Sequence, residues 1–357
     1  MNIFKLKTKI QISKNRFISN LDKCFIVAEI SGNHVGNLKL LKKTMLSAKK
    51  SGADAVKIQS YEAETLTLNS TNKHFLINDK SIWKGKNLYK LYKKAQTPFK
   101  WHKEIFNFAK KNKIICFSAP FDLKAVKILK KLNCPIYKIA SPEIEDEILI
   151  ENIAKIKKPI IISTGIASEE NIKNAIRICR KNKNNKIILL NCISSYPAKN
   201  EELNLNHIDV LKKYTPIVGY SDHSQSDEAN IISVAKGAKV IEKHFILNNK
   251  IKSADRTFSY NPIQFKNLVN QIRKTEIMLG KTYINKKIIL KKKLKTVTRS
   301  IFYSRDINKG EYITKNNIKS VRPGTGLKLS FMKKILGKKV IKNCKFAEPV
   351  KLTDLNI

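Results

Sequence analysis

Two histidines in the second half of the chain stand beside carboxylates at the ends of apolar runs. His223 follows PIVGY, and His244 ends KVIEKH, in which Glu242 lies two residues earlier. Because alternate residues of a strand share a face, Glu242 and His244 should point the same way. Imidazole is a common ligand of divalent metal ions. This pattern indicates a metal site on His223 and His244, completed by water or a substrate oxygen.

Lysines and serines recur at the ends of the other apolar runs. A strand lysine is usually a surface residue, and a histidine in an apolar run is usually a hydrogen-bonded core residue, so each position alone means little. Lysines, serines and a glycine that converge from several strands, however, can bind an anion. The polar residues at these ends are Glu29, Ser31, Asn33, His34, Lys57, Gln59, Ser118, Asp122, Lys138, Ser141, Glu143, Ser163, Thr164, Asn191, Ser194, Tyr196, Ser221, Asp222 and Lys243.

Short β-branched runs alternate with longer, lysine-rich amphipathic stretches along the first 280 residues. Eight such strand–helix units predict an α/β protein with a (β/α)8 TIM barrel, whose chemistry lies at the carboxyl ends of the strands. A doubly wound open sheet is the alternative, although SGNHVGN is a poor glycine-rich phosphate turn. The predicted strands span 25–30, 55–59, 114–119, 135–140, 159–164, 186–191, 216–220 and 239–244.

The chain is expected to divide into four parts. Residues 1–24 contain KIQI and RFIS around SKN, which predicts a β-hairpin that caps the barrel. The barrel is expected over 25–285, a basic linker over 286–297, and a small C-terminal α+β domain over 298–357. About 60 residues make only a small core, so this last domain is expected to pack against something else, such as a partner chain.

Composition narrows the class of protein. The 357 residues contain 71 Lys and Arg against 28 Asp and Glu, a net charge of +43. That charge is spread along the chain without a nucleic-acid-binding motif, so a basic nucleic-acid-binding protein is only an alternative of a different class. The six cysteines form no CxxC pair, which argues against thiolate metal sites and disulfides. The sequence contains neither a long apolar span nor a signal peptide, so no membrane partner and a cytoplasmic location are expected.

Motifs in fixed order identify a family. They are FIVAEISGNH, GADAVKIQSY, FSAPFD, YKIASPEI, PIIISTGIAS, CISSYPA, GYSDHS and GAKVIEKHF. Together they resemble the sialic acid synthase family, whose members condense phosphoenolpyruvate with an N-acetylated amino sugar. The C-terminal domain, with its RPGTG turn, resembles the antifreeze-protein-like (SAF) domain of those enzymes. The resemblance covers nearly the whole chain from about residue 20 and implies a transferase.

The resemblance also implies roles for individual residues. His223 and His244 would hold a divalent Mn or Mg ion, and Glu29 or Glu143 would be the general base. Arg322 would reach the sugar site of the other subunit in a domain-swapped homodimer. Glu29, Gln59, Glu242 and Asp255 would face the sugar and the metal-bound water. The residues expected to line the phosphoenolpyruvate site are Lys57, Lys138, Ser141, Ser163, Ser194, Tyr196 and Ser221.

Three features favour the pseudaminic acid branch of the family over its sialic acid and legionaminic acid branches. They are SGNH after the first strand, the segment IWKGKNLYKLYKKAQTPFKWH, and TFS after Asp255. Two positions depart from the family pattern: Ala119 replaces a Ser or Thr, and Ser253-Ala254 replaces the usual Gly-Pro before Asp255. A barrel enzyme that uses a phosphorylated sugar is a further alternative, but it would need more arginines in the barrel loops.

Overall fold

The computed structural model describes residues 6–78, 82–280 and 296–356. The chain forms two compact units, 1–280 and 281–357. The predicted linker 286–297 lies almost entirely outside the described residues, as does the predicted barrel end at 285. The four-part division of the chain therefore stays a prediction.

The first unit opens with an antiparallel hairpin of β1 (Lys9–Ser13) and β2 (Arg16–Ser19). Ile10, Ile12 and Ile18 of this hairpin are buried in the same hydrophobic cluster as Phe25 and Val27 of the next strand. Apolar side chains on alternate positions explain this packing, because one face of a two-stranded ribbon must be covered to be stable.

Eight parallel strands then close into a barrel, which confirms the predicted fold and excludes the open sheet. Closure is made by the last strand, which pairs with the first strand of the barrel. The strands are β3 (Phe25–Glu29), β4 (Ala55–Ser60), β5 (Ile115–Pro120), β6 (Tyr137–Ile139), β7 (Ile160–Ser163), β8 (Ile187–Cys192), β9 (Val218–Asp222) and β10 (Val240–His244).

The largest change from the predicted strand limits is in β9. It was predicted over 216–220 but spans Val218–Asp222, so Ser221 and Asp222 lie in the strand rather than after it. Gly219 of this strand fits only because it lacks a side chain: a Cβ atom there would lie 2.4 Å from the carbonyl oxygen of Val240. The close approach of β9 and β10 therefore depends on glycine.

Helices follow the strands, and most of the longer ones begin at a polar residue whose side chain caps the helix. Asp122 illustrates the pattern, because its carboxylate accepts a hydrogen bond of 2.7 Å from the backbone N–H of Ala125 and so starts a helix. The helices of the first unit are α1 (Leu38–Lys50), α2 (Ala63–Leu66), α3 (Leu88–Ala95), α4 (Phe99–Lys111), α5 (Leu123–Lys131), α6 (Glu147–Lys155), α7 (Glu169–Lys181), α8 (His207–Leu211), α9 (Asp227–Ala235) and α10 (Pro262–Leu279).

Short 3-10 turns occupy several strand ends and loops. Two of these turns carry polar residues that were predicted at strand ends. The turn Ser31–His34 follows β3, and the turn Ser141–Glu145 follows β6. Further 3-10 turns within the described residues are Lys73–Phe75, Asn200–Glu202, Arg256–Phe258, Leu329–Phe331 and Leu352–Asp354.

The second unit is a small α+β domain with its own core. Strands β11 (Ser300–Tyr303) and β12 (Ile318–Val321) pair antiparallel, and α11 (Met332–Ile335) follows them. Its buried residues include Ile301, Tyr303 and Val350. Within 6–78, 82–280 and 296–356, no helix has the length and apolar character needed to cross a membrane. All six cysteines are free and buried.

Candidate active site

A buried ion-pair cluster lies at the carboxyl ends of the first, second and last barrel strands. The Nζ atom of Lys57 lies 2.8 Å from Oε2 of Glu29 and 2.7 Å from Oε1 of Glu242. These three residues are at most 4% exposed. Closure of the barrel explains their meeting, because β3 pairs with β4 on one side and with β10 on the other.

A second lysine extends this cluster. The Nζ atom of Lys138, on β6, donates a 2.6 Å hydrogen bond to the hydroxyl of Ser163 and lies 4.0 Å from Oε1 of Glu242. The same carboxylate oxygen accepts a 3.0 Å hydrogen bond from the hydroxyl of Ser221. Burial would raise the pKa of Glu242, but Lys138 and Lys57 outweigh it and hold that pKa at about 2. Burial lowers the pKa of Lys57 to about 8, against the attraction of Glu242.

Two serine hydroxyls approach the backbone at Gly165, next to this cluster. A Cβ atom at Gly165 would lie 2.7 Å from Oγ of Ser194 and 3.0 Å from Oγ of Ser141. The Ser141 hydroxyl also accepts a 2.9 Å hydrogen bond from the N–H of Ile166. Oγ of Ser194 is buried with no hydrogen-bond partner among the described residues. Glycine is required here, and hydroxyls and N–H groups that converge in this way suit an anion.

The two histidines predicted as metal ligands lie side by side. Their ring centroids are 5.4 Å apart, and both residues are 6% exposed. Nδ1 of His223 lies 2.7 Å from the carbonyl oxygen of Ile193, so this nitrogen carries the proton and Nε2 keeps a free lone pair. Burial lowers the pKa of His223 to about 4 and the pKa of His244 well below its usual value, so both rings are neutral at pH 7.

The donor set at this pair fits a divalent ion held by few protein ligands. Nδ1 of His244 is buried and has no hydrogen-bond partner in the described part of the chain, as expected of a ring nitrogen kept for a ligand. Among those same residues, no group of three or more His, Cys, Asp or Glu side chains could hold a metal. Two neutral imidazoles would therefore need oxygen ligands from outside the protein.

Aromatic rings cover the histidine pair. The Tyr196 ring lies 4.3 Å from that of His223, and the Phe258 ring lies 4.8 Å from that of His244, centroid to centroid. Trp83 lies behind both aromatics, at 5.5 Å from Tyr196 and 6.4 Å from Phe258. These rings shield one side of the pair from water, which strengthens electrostatic interactions within the site.

The remaining predicted site residues lie at different distances from this centre. Asp255 is buried near the 3-10 turn Ser31–His34, where its Oδ2 accepts a 3.3 Å hydrogen bond from the N–H of Gly32; burial raises its pKa. Glu143 is half-buried, and its Oε2 has no hydrogen-bond partner among the described residues. Gln59 is half-buried two residues after Lys57 on β4. Arg322 belongs to the second unit and follows β12.

Two neighbours of the histidines were noted in the sequence only as polar strand ends. Asp222 and Lys243 form a fully buried ion pair of 2.7 Å, and Asp222 also accepts hydrogen bonds from the N–H and hydroxyl of Ser224. Asn230 of α9 donates to the same carboxylate at 2.7 Å. This network fixes the chain on both sides of His223. The signal for this network in the sequence was a charged residue directly after each inward-facing one: Asp222 follows Ser221 on β9, and Lys243 follows Glu242 on β10.

Trp83 and Phe258 were not predicted as site residues. Both lie in the segments that favour the pseudaminic acid branch, IWKGKNLY and TFS, but nothing in those segments alone indicates that Phe258 packs on the histidines or that Trp83 packs on Phe258. The indole nitrogen of Trp83 donates a 3.1 Å hydrogen bond to the carbonyl oxygen of Ala254. That bond connects the segment before α3 to the loop after β10.

Comparison with known proteins gives the family. The model of the NeuB family matches residues 44–283, and that of the SAF domain matches 298–356. The pseudaminic acid synthase of Campylobacter jejuni is 44% identical over 93% of this chain and 96% of its own. The N,N'-diacetyllegionaminic acid synthase of the same species is 35% identical over 93% of this chain and 100% of its own.

A solved structure agrees with this assignment. The crystal structure of the N-acetylneuraminic acid (sialic acid) synthetase from Leptospira borgpetersenii, in complex with citrate, matches with a TM-score of 0.70 and 32% identity. The match covers 78% of this chain and 92% of that one. The resemblance read from the sequence motifs is therefore confirmed, and the chain belongs to the NeuB family and carries a C-terminal SAF domain.

Proposed function

We propose that this enzyme is a pseudaminic acid synthase. It would condense phosphoenolpyruvate with 2,4-diacetamido-2,4,6-trideoxy-altrose and water to give pseudaminate and phosphate. The observation that carries the proposal is the pair of buried lysines beside two neutral histidines, in a chain 44% identical to a pseudaminic acid synthase. N-acetylneuraminate or legionaminate synthesis is the alternative within the family. A nucleic-acid-binding role is set aside, because the chain belongs to a family of synthases.

The lysines and serines of the cluster would bind phosphoenolpyruvate. Lys57 and Lys138 are cations held in a buried site, where attraction to phosphate and carboxylate is strongest. Ser141 and Ser194 supply hydroxyls at Gly165, and Ser163 and Ser221 orient the second lysine and Glu242. Tyr196 would close the site above His223. The effect of this arrangement is to orient the enol carbon before a bond forms.

The reaction joins the methylene carbon of phosphoenolpyruvate to the aldehyde carbon of the open-chain sugar. Water then adds to the former enol carbon, and the C–O bond to phosphate breaks, so that the phosphate leaves with its bridging oxygen. When bound at the histidine pair, a divalent cation would polarise the aldehyde as a Lewis acid. Glu242, Asp255 and Gln59 would face the sugar. A carboxylate must also accept a proton from the attacking water.

Glu143 is the better candidate for that general base. Oε2 of Glu29 forms an ion pair of 2.8 Å with Lys57, and Oε1 accepts a 2.6 Å hydrogen bond from the N–H of Ser31, so the charge of this carboxylate is already paired. By contrast, no cation lies within 4.0 Å of Glu143 among the described residues. Glu143 keeps one oxygen without a hydrogen-bond partner among the described residues. Burial raises its pKa to about 7, which suits proton transfer near neutral pH.

We expect the pH profile of kcat/KM to report Glu143. A base with a raised pKa is protonated at low pH, so activity should rise between about pH 6 and 8 as Glu143 ionises. Glu143→Gln should remove this rise and lower kcat by about a hundredfold or more. Glu29→Gln, as the comparison variant, should lower activity at every pH but keep the profile. An unchanged profile in Glu143→Gln would assign the base elsewhere.

We propose that His223 and His244 hold a Mn or Mg ion. Their neutral rings and the unpartnered Nδ1 of His244 support this. Chelator treatment should abolish activity, and Mn²⁺ or Mg²⁺ should restore it. His223→Ala and His244→Ala should each lose metal binding in calorimetry, whereas His207→Ala, a half-buried histidine outside the pair, should bind normally. Full activity in metal-stripped enzyme would contradict the metal role.

The acceptor sugar is the direct test of the proposed function. Phosphate release should be measured with phosphoenolpyruvate and a panel of amino sugars that includes a phosphorylated one. The 2,4-diacetamido-2,4,6-trideoxy-altrose should exceed N-acetylmannosamine in kcat/KM by about a hundredfold or more, because a site built for two acetamido groups loses a partner with the smaller sugar. Preference for N-acetylmannosamine would reject the branch and keep the family.

We propose that the second unit serves catalysis across a domain-swapped homodimer. Arg322 supports this, because it is exposed and no carboxylate among the described residues lies within 4.0 Å of its guanidinium. Its planar fork of donors would bind an acetamido carbonyl of the sugar at the partner's barrel.

Mixed dimers test this swap. Lys57→Ala and Arg322→Ala should each be inactive or nearly so alone. After subunit exchange, a mixed dimer holds one site with both residues intact, so about a quarter of wild-type activity should return, since half of the dimers are mixed and each has one complete site in two. No recovery from subunits shown to exchange would mean that Arg322 does not act across the interface.

A further inference from the structure

A cleft of about 610 Å³ lies beside the histidine site, between the segment that leads into α3 and the loop after β10. Its walls include Gly32 and Trp83, but its most distinctive feature is charge. Among the described residues, five cationic side chains line it and no carboxylate does; the five are Lys86, Lys90, Lys94, Lys252 and Arg256. We call these five residues the basic cleft. None of them was predicted as a site residue.

The charge of the basic cleft is uncompensated. All five side chains are exposed, and within the described part of the chain none has a carboxylate within 4.0 Å. Lys93 differs from its neighbours Lys90 and Lys94 on α3, because it forms an ion pair of 2.8 Å with Glu64. Lys90 and Lys94 are four residues apart on α3, where like charges repel and destabilise a helix. A bound anion would relieve this repulsion between the lysines.

The barrel interior, in contrast, has balanced charge. Lys57 and Lys138 face the carboxylates of Glu29 and Glu242, at distances of 2.7 to 4.0 Å. Two cations and two anions leave almost no net field at longer range. The interior can hold phosphoenolpyruvate once it arrives, but it cannot attract this multiply charged anion from solution.

The basic cleft is continuous with the active site. Trp83 lines the cleft and contacts Tyr196 and Phe258, the two rings that lie on the histidine pair. Gly32 also lines it, and its N–H donates to Asp255. The cleft is therefore connected to the histidine pair through the contacts of Trp83 with Tyr196 and Phe258.

We propose that the basic cleft is a capture site for phosphoenolpyruvate, which binds its phosphate and carboxylate before the molecule moves into the barrel. This inference rests on the proposed function, since it assumes that phosphoenolpyruvate is the anionic substrate. Screening makes the effect local: the Debye length is about 8 Å at physiological salt, so distant lysines on this +43 chain contribute little. A local cluster of cations can speed association by about 10 to 1,000-fold.

The test compares two triple variants of equal charge. Lys86→Gln/Lys90→Gln/Lys94→Gln removes three charges from the basic cleft. Lys127→Gln/Lys130→Gln/Lys131→Gln removes three exposed charges from α5, outside the lining of the cleft. For each protein, kcat/KM should be measured separately for phosphoenolpyruvate and for the sugar, at about 10 mM and about 1 M salt, where the Debye length falls from about 30 to 3 Å. Circular dichroism checks folding.

We expect the cleft variant to lose about tenfold in kcat/KM for phosphoenolpyruvate at low salt, with kcat and the value for the neutral sugar unchanged. High salt should bring wild type and variant together, and the α5 variant should match wild type throughout. The inference is overturned if the two variants behave alike, or if the cleft variant changes kcat/KM for the sugar instead. A wild-type enzyme that fails to bind phosphoenolpyruvate in calorimetry would instead remove the proposed function itself.

Discussion

The active site depends on keeping two lysines charged inside a barrel. A buried ammonium group is costly unless it is paired, and Lys57 and Lys138 are paired with carboxylates from other strands. Glu242 comes from the last barrel strand, so its pairs with Lys57 and Lys138 exist only when that strand closes the barrel. Closure and charge neutralisation are therefore one event: the strand pairing that completes the sheet also completes the site.

Alternation along β9 and β10 divides their polar residues between two environments. Ser221 and Glu242 join the interior cluster, whereas the next residue on each strand, Asp222 or Lys243, joins the buried pair anchored to α9. His223 directly follows Asp222 in the chain, so the contacts that hold Asp222 also fix the position of His223. Breaking one partner would leave a buried charge unpaired, at a cost of about 3–5 kcal/mol, so the histidine is held by a structural ion pair rather than by loop packing.

The sequence predicted the barrel and the strand-end polar residues because both follow from local patterns. It did not predict which residues pair. Lys57 and Glu242 are far apart in the chain, and their contact depends on strand order and closure, which no local pattern records. The predicted limits of β9 were wrong by two residues at each end. The run PIVGY starts with Pro216, which has no N–H to donate to a sheet. At the other end the strand continues through the polar residues Ser221 and Asp222. Trp83 was missed because its role arises from tertiary contact.

Total charge is a poor guide to where an anion binds in this protein. Lysine is the default polar residue of the chain, and only a minority of the described lysines have a nearby carboxylate, as Lys93 has Glu64 and Lys57 has Glu29. What distinguishes the basic cleft from the other unpaired lysines is the convergence of five cations on one cavity, together with proximity to the chemistry. The barrel interior lies at the reacting groups but its charges are balanced, whereas the basic cleft lies next to the site and carries excess positive charge. The two regions therefore suit successive steps, attraction outside and orientation inside, because a site that neutralises its own lysines cannot also generate a long-range field.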